Sequence, residues 1–162
     1  MQTGVYKTYY KSPIGTVEIC SDQSEILSVK AIEGAGSSCE SETSLPEVLK
    51  ECKKQLSEYF TGKRQAFDLP LRKEGTPFQK QVWQMLDSIP YGETISYKAL
   101  AENCRRPKAC RAVGSANGKN QHWIIVPCHR VITSDGKLGG YAGGLWRKQW
   151  LLEHERNITT QK

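Results

Sequence analysis

Along the first third of the chain, apolar and polar positions follow the spacing of strands. Residues 5–10, 15–20 and 26–32 are short runs rich in β-branched and aromatic side chains. The turn signals Ser12-Pro13-Ile14-Gly15 and Ser21-Asp22-Gln23-Ser24 separate them. Three strands so closely spaced predict an antiparallel meander. Residues 34–44 are small, polar and acidic, and predict a mobile surface loop. The period then changes. Val48, Leu49, Cys52, Leu56, Tyr59 and Phe60 share one face of a helix predicted over residues 45–60, with Ser44 as its cap and Pro46 in its first turn. Thr61-Gly62-Lys63-Arg64 stops it, and Phe67-Asp68-Leu69-Pro70-Leu71 reads as extended.

Helical spacing dominates the rest. Thr76-Pro77 opens a helix as N-cap and first residue, and Phe78, Val82, Trp83, Met85, Leu86 and Ile89 form its apolar side. Pro90-Tyr91-Gly92-Glu93 ends it. Ser96 caps a short helix through Ala99, Leu100 and Ala101. After a turn at 103–106, Pro107 is expected to start another helix, through Arg111, Val113 and Ala116 to Gly118. Two short helices joined by a tight turn, the second basic and rich in small residues, fit either a helix-turn-helix or an ordinary pair of core helices. Ile124-Ile125-Val126 reads as a buried extended segment, a glycine-rich loop spans Gly136 to Gly144, and an amphipathic helix covers residues 145–155. The boundary between the halves falls near residues 73–75. The pattern is an α+β chain of two domains: residues 1–74, an α/β domain with a three-stranded antiparallel sheet, and residues 75–162, mostly helical.

Charge sharpens this division. The 162 residues carry a net charge of +6. Residues 1–74 hold ten Lys/Arg against eleven Asp/Glu, and residues 75–162 hold thirteen against six. A basic second half suits either a polyanion-binding surface or a generic basic one. No apolar run has the length of a membrane span, and the first residues show no signal pattern, so a cytosolic protein without membrane association is expected. The six cysteines lie at irregular spacings without Cys-x-x-Cys pairs, and the three histidines add no zinc-ligand spacing. Neither a disulfide framework nor a metal site is expected.

Chemistry concentrates at Pro127-Cys128-His129-Arg130. Cysteine is the most nucleophilic side chain, and a neighbouring imidazole or a fixed water relay can hold it as thiolate. A Cys-His pair alone also fits a core cysteine beside a solvent-facing histidine.

The surrounding motifs favour the nucleophile. In order they are Tyr91-Gly92-Glu93-Thr94-Ile95-Ser96-Tyr97, Arg111-Ala112-Val113-Gly114-Ser115-Ala116-Asn117, Asn120, Pro127-Cys128-His129-Arg130-Val131-Ile132, Gly139-Gly140-Tyr141-Ala142-Gly143-Gly144-Leu145, and Trp150-Leu151-Leu152-Glu153-His154-Glu155. Over residues 76–155 this set resembles the O6-alkylguanine-DNA alkyltransferase family, the methylated-DNA–protein-cysteine methyltransferases. The N-terminal part agrees in length and pattern only.

The resemblance implies a ribonuclease-H-like N-terminal domain and a winged-helix-like DNA-binding domain that carries the site. It implies DNA repair by direct reversal in a monomer. An alkyl group, usually methyl, passes irreversibly from O6 of guanine, and less readily from O4 of thymine, to Cys128. Each molecule reacts once, without cofactor or metal. The partner is alkylated double-stranded DNA, whose target base flips out through the minor groove. Small residues on the reading helix, namely Ala109, Ala112, Gly114, Ser115 and Ala116, suit that groove.

By the same resemblance, His129 and Glu155 form a relay in which water links imidazole to thiol and the carboxylate orients the ring. Arg111 fills the space the base leaves. Tyr97 lies beside the flipped nucleotide and can hydrogen-bond or protonate the guanine. Asn120 ties the helix pair to the cysteine segment. Val131 offers its carbonyl to the guanine amino group, and Tyr141 and Ala142 belong to a loop over the pocket. Arg130 makes an internal ion pair. Thr94, Ser96, Ser115 and Asn117 are phosphate or backbone contacts.

One stretch departs from the pattern. Gln121 stands where the family usually has proline, and Trp123 where it has a pocket-wall proline or similar residue. Trp123 either stacks on the flipped base or narrows the pocket against bulky adducts. Cys128 argues against a non-catalytic lesion sensor, because those relatives replace the cysteine. The chain has neither the length nor the ligands of a regulator with an added zinc module. A Cys-His hydrolase is set aside because the cysteine is not expected to open a helix and the basic half would go unexplained.

Overall fold

The computed structural model describes residues 4–34, 44–141 and 143–160. The loop expected at 34–44, apart from its two ends, lies outside the described residues, as does Ala142. The chain divides into two compact units, Met1–Lys73 and Glu74–Lys162.

In the first unit, β1 (Tyr6–Ser12), β2 (Gly15–Ser21) and β3 (Ile26–Ile32) form an antiparallel sheet in the order β1-β2-β3. The β1–β2 turn is set by Ser12, whose Oγ accepts from Ile14 N at 3.1 Å and donates to Gly15 O at 2.7 Å. Gly15 takes φ 103°, a value that suits glycine there. The helix α1 (Glu47–Phe60) buries Leu49, Cys52, Leu56 and Tyr59 and packs on β1 and β2, where Val17 and Ile19 are buried. Its start differs from expectation. Pro46, not Ser44, takes the N-cap position, and no side chain caps the helix. The Pro46 carbonyl instead accepts from Leu49 N and Lys50 N. Gln55, on the same helix, is buried and fixes the segment after it: its Oε1 accepts from Asp68 N at 2.9 Å and its Nε2 donates to Asp68 O at 3.1 Å. Leu71 then forms a parallel bridge with Ile26.

In the second unit, α2 (Pro77–Leu86) opens with a full capping box, Thr76 and Gln79 exchanging side-chain and backbone bonds. Its Trp83 donates from Nε1 to Ala116 O at 2.8 Å. That bond ties it to α4 (Cys110–Gly118). The helix α3 (Tyr97–Asn103) is capped by Ser96, whose Oγ accepts from Ala99 N at 3.0 Å. A turn through Arg105, at φ 60°, brings α4 back against α3. Pro107 does not start α4: it sits in this turn, and Ala109 holds the N-cap position. The two-residue strands β4 (Ile95–Ser96) and β5 (Val131–Ile132) pair in parallel, and α5 (Leu145–Thr160) closes the unit. Among the described residues no helix is long and apolar enough to cross a membrane.

Candidate active site

The segment before Cys128 is not extended. Ile124 has φ 75°, Ile125 N donates to Trp123 O and Val126 N to His122 O, so the chain winds through tight turns. Asn120 is the cause. Its Oδ1 accepts from His122 N at 2.9 Å, while its Nδ2 donates to Val126 O at 2.8 Å and His122 O at 3.3 Å. A buried side chain thus does for this loop what a strand partner would do. At its end Cys128 opens a one-turn 3-10 helix, Cys128–Arg130, with Pro127 as N-cap. The expectation that this cysteine opens no helix is corrected, because the chain must turn sharply to enter β5.

Cys128 is 4% exposed. Burial pushes its thiol up to about 11, while Asn120, Lys148 and Tyr141 pull the other way. His129 and Glu155 are fully buried, with His129 Nε2 at 2.6 Å from Glu155 Oε2. Arg130 clamps the same carboxylate, Nε to Oε1 at 2.8 Å and Nη2 to Oε2 at 3.0 Å, and its Nη1 donates to Ile89 O at 2.7 Å. Gly92 N adds a bond to Glu155 Oε1 at 3.2 Å. Burial alone would raise the Glu155 carboxyl. His129 and Arg130 outweigh it and hold the group well below the usual carboxylate range. Burial also lowers the imidazole of His129 against the pull of Glu155. The pair is therefore an ionised carboxylate beside a neutral ring. Nε2 carries the proton, which leaves Nδ1 as a lone-pair acceptor. Nδ1 is buried without a hydrogen-bond partner.

A cavity of about 440 Å³ opens beside Cys128, with Tyr97, Asn117, Trp123, Gly140 and Tyr141 among its lining residues. Trp123 and Tyr141 pack at 5.5 Å between ring centroids. A Cβ on Gly143 would meet Trp123 at 2.7 Å, and one on Gly139 would meet Tyr97 at 2.9 Å, so the loop over the pocket needs both glycines. Tyr97 OH reaches Gly140 O at 3.5 Å. Arg111, Ala112 and Ser115 are exposed on α4, and Thr94 is exposed before β4.

One side chain stands differently from expectation, and two further groups have partners within the protein. Asn117 is buried on the inward face of α4 with Val113 and Ala116, so it is not a surface phosphate contact. Its Nδ2 donates to Cys128 O at 3.3 Å. The Ser96 hydroxyl accepts the capping bond of α3. The Val131 carbonyl already accepts from Lys148 Nζ at 2.6 Å. Lys148 went unnoticed in the sequence. It is fully buried and also donates to Leu138 O and Gly140 O, which binds the glycine-rich loop to β5. Its spacing was the available signal: with Leu151, Leu152 and Glu155 it repeats at helical period on the buried side of α5.

Comparison with known proteins agrees with this arrangement. Residues 77–157 match the 6-O-methylguanine DNA methyltransferase DNA binding domain, and residues 5–73 match the ribonuclease-like domain of the same family. The methylated-DNA–protein-cysteine methyltransferase of Methanosarcina acetivorans is 46% identical over 157 residues, 93% of this chain and 98% of that one. The constitutive enzyme of that name from Bacillus subtilis is 54% identical over 109 residues, 67% of this chain and 66% of that one. Among solved structures, Mycobacterium tuberculosis O6-methylguanine methyltransferase superposes with a TM-score of 0.84 at 41% identity, covering 96% of this chain and 94% of that one. The DNA complex of the M. tuberculosis protein gives the same TM-score at 42% identity, covering 94% of each chain. Two domain matches in sequence, and a relative that shares nearly its whole length, establish that the chain belongs to the 6-O-methylguanine DNA methyltransferase family.

Proposed function

We propose that Cys128 takes one alkyl group, most readily methyl, from O6 of an alkylated guanine in duplex DNA, and that each molecule reacts once. The observation that carries the reading is the orientation of His129. Glu155 and Arg130 fix its Nε2–H, so the bare Nδ1 is the base available next to the nucleophile. A thiol that burial holds near 11 needs such a base. A bridging water passes the Sγ proton to Nδ1, and Glu155 balances the imidazolium that forms. The thiolate displaces the alkyl carbon in line. The S–C bond forms, the C–O6 bond breaks, and its electron pair stays with the guanine, which takes a proton through the Tyr97 hydroxyl; the proton that His129 took from the thiol is released to water, and water returns one to the phenol. The product is a thioether and a repaired base. O4-alkylthymine is the slower substrate.

Reaching O6 in line requires the base to leave the stack. The exposed Arg111, with Ala112 and Ser115 beside it on α4, suits entry from the minor groove, Arg111 taking the place of the base. Thr94 adds a backbone contact. Asn120 moors the Cys128 segment, and Lys148 holds the loop at Leu138 and Gly140, just before Tyr141.

Intact-protein mass spectrometry after incubation with an O6-methylguanine duplex tests the reading. One methyl group per protein, located at Cys128 and absent from Cys128→Ser, is the expected result. Tight binding with no mass gain would assign lesion sensing instead.

Acid tolerance follows from the state of His129. Because burial lowers its affinity for protons, the ring stays a competent base below the ordinary histidine value of about 6.5. The single-turnover rate is expected to show no loss as the pH falls through about 6.5 and to decline only in stronger acid. A rate that halves near 6.5 would contradict it.

Substrate size is limited by the Trp123–Tyr141 wall. O6-benzylguanine is expected to react at least about tenfold more slowly than O6-methylguanine, the order of an overpacking penalty. Trp123→Ala should narrow that gap. Equal rates on both substrates in the native protein would rule out a narrowed pocket.

A further inference from the structure

The turn that runs from Ile89 to Gly92 touches the buried clamp around His129 at each of three positions. Ile89 O accepts from Arg130 Nη1 at 2.7 Å. The Arg130 guanidinium carbon lies over the Tyr91 ring, 5.6 Å from its centroid. Gly92 N donates to Glu155 Oε1 at 3.2 Å, from a backbone at φ 83° that suits glycine. Two of these contacts come from the backbone. Tyr91 alone of the three reaches the clamp with a side chain.

The guanidinium uses its edge on Glu155 and Ile89 O, and its flat faces carry no hydrogen. An aromatic face holds such a cation in a dry site, where an aliphatic side chain only fills space. Tyr91 is half-buried, whereas Arg130, Glu155 and His129 are buried, so its ring forms part of the cover between them and solvent. Burial first, and then Glu155, pushes its hydroxyl up to about 12, so the ring is neutral beside the ion pair. The charged groups that act on His129 are Glu155 and Lys148 from α5 and Arg130 from its own turn. Glu155 raises the affinity of the imidazole for protons, while burial, Arg130 and Lys148 lower it. Without the Tyr91 ring, water reaches the clamp and Arg130 is free to move. Both changes weaken influences that lower that affinity, so it rises toward the ordinary histidine value of about 6.5.

We propose that Tyr91 is a positioning residue for the proton transfer: its ring holds the Arg130 guanidinium against Glu155, and the dry clamp so formed keeps His129 neutral with Nε2–H fixed and Nδ1 bare. The assignment rests on the alkyl-transfer reading and adds what keeps its base in working order. Tyr91 acts through Arg130 and touches neither the nucleophile nor the substrate in this scheme.

Single-turnover methyl transfer from an O6-methylguanine duplex is measured for the native protein, Tyr91→Leu and Tyr91→Phe, and each rate at about pH 6 is divided by the same protein's rate at about pH 8. That ratio should be about two- to fourfold lower in Tyr91→Leu than in the native protein, the drop for a base whose value rises toward about 6.5. Tyr91→Phe restores the ring without the hydroxyl and should restore the native ratio. A looser fold slows transfer alike at both pH values, so the ratio separates positioning from mere packing. Tyr91→Met, with no aromatic face and nearer the native volume, serves if the leucine variant fails to fold. Titration of the His129 ring by nitrogen NMR gives a readout that needs no alkyl transfer: its midpoint should rise in Tyr91→Leu and return in Tyr91→Phe. A native ratio and midpoint in the leucine variant overturn the assignment, as does a phenylalanine variant that behaves like the leucine one. A native protein that takes up no methyl group overturns the alkyl-transfer reading, and the His129 titration still decides whether the Tyr91 ring sets the state of the imidazole.

Discussion

Glu155→Ala is expected to lose about 3–5 kcal/mol of stability, the usual result of removing one partner from a buried ion pair. The substitution leaves the Arg130 guanidinium buried with its carboxylate gone and only Ile89 O as partner among the bonds described. It also frees the His129 ring to turn and to change tautomer. Alkyl transfer should therefore slow by about 10²–10⁴-fold, the range for losing a positioned proton acceptor. Denaturant midpoints and single-turnover rates measure the two effects separately. Glu155→Gln divides them further. It keeps an oxygen for His129 Nε2–H and the shape of the clamp, but it removes the charge that stabilises the imidazolium. A Glu155→Ala protein of native stability would mean that Arg130 finds another counter-charge.

The acid side of the stability curve has the same origin. The Glu155 carboxyl is held below its unfolded value of about 4.3, so its contribution is complete above that pH and fades as the pH drops through the lower, folded value. His129 adds a second loss. It is neutral in the folded protein and takes up a proton more readily when unfolded, so stability begins to decline as the pH falls below about 6.5.

Asn120→Ala should be nearly as severe. It removes the Asn120 acceptor of the His122 amide and one of the two donors to the Val126 carbonyl, and a lost buried partner costs about 1–3 kcal/mol. No neighbouring strand replaces those bonds, because the 120–126 loop is folded around this one side chain. The transfer rate should fall by more than the stability loss alone explains, since Cys128 N hangs from Val126 O at the loop's end. Asn120→Asp distinguishes the two halves of the amide. It keeps the acceptor for His122 N but cannot donate to Val126 O. Transfer at the native rate by a folded Asn120→Ala protein would show that Pro127 and the 3-10 turn hold the nucleophile without it.

These residues also show where a sequence can be read and where it cannot. The strands of the first unit were legible because alternation and turn residues agree, as at Ser12 and Gly15. The start of α2 was legible because Thr76 and Pro77 form a local signal, to which the structure adds Gln79 as the other half of a capping box. α1 misled at its first turn: Ser44 offered a hydroxyl, but Pro46 sets the backbone at the N-cap position. Ile124-Ile125-Val126 misled more deeply. Three apolar residues look alike in a strand and in a buried turn, and the deciding agent, Asn120, acts through side-chain bonds that periodicity does not register. Asn117 and Lys148 share that difficulty. Both are polar residues turned inward, and polarity alone places such residues on the surface. Only their helical phase, Asn117 with Val113 and Lys148 with Leu151 and Leu152, marks them as interior.

The deep placement of Cys128 also bears on the protein's survival between damage events. On the proposed reading the acceptor is spent only once, and such an acceptor gains nothing from general reactivity. Peroxides and small electrophiles attack thiolates that they can reach, and Cys128 offers them neither exposure nor charge at rest. Among the described cysteines, Cys110 is the half-exposed one and would consume such reagents first. The site is built for shelf life: at rest its thiol is covered and holds its proton.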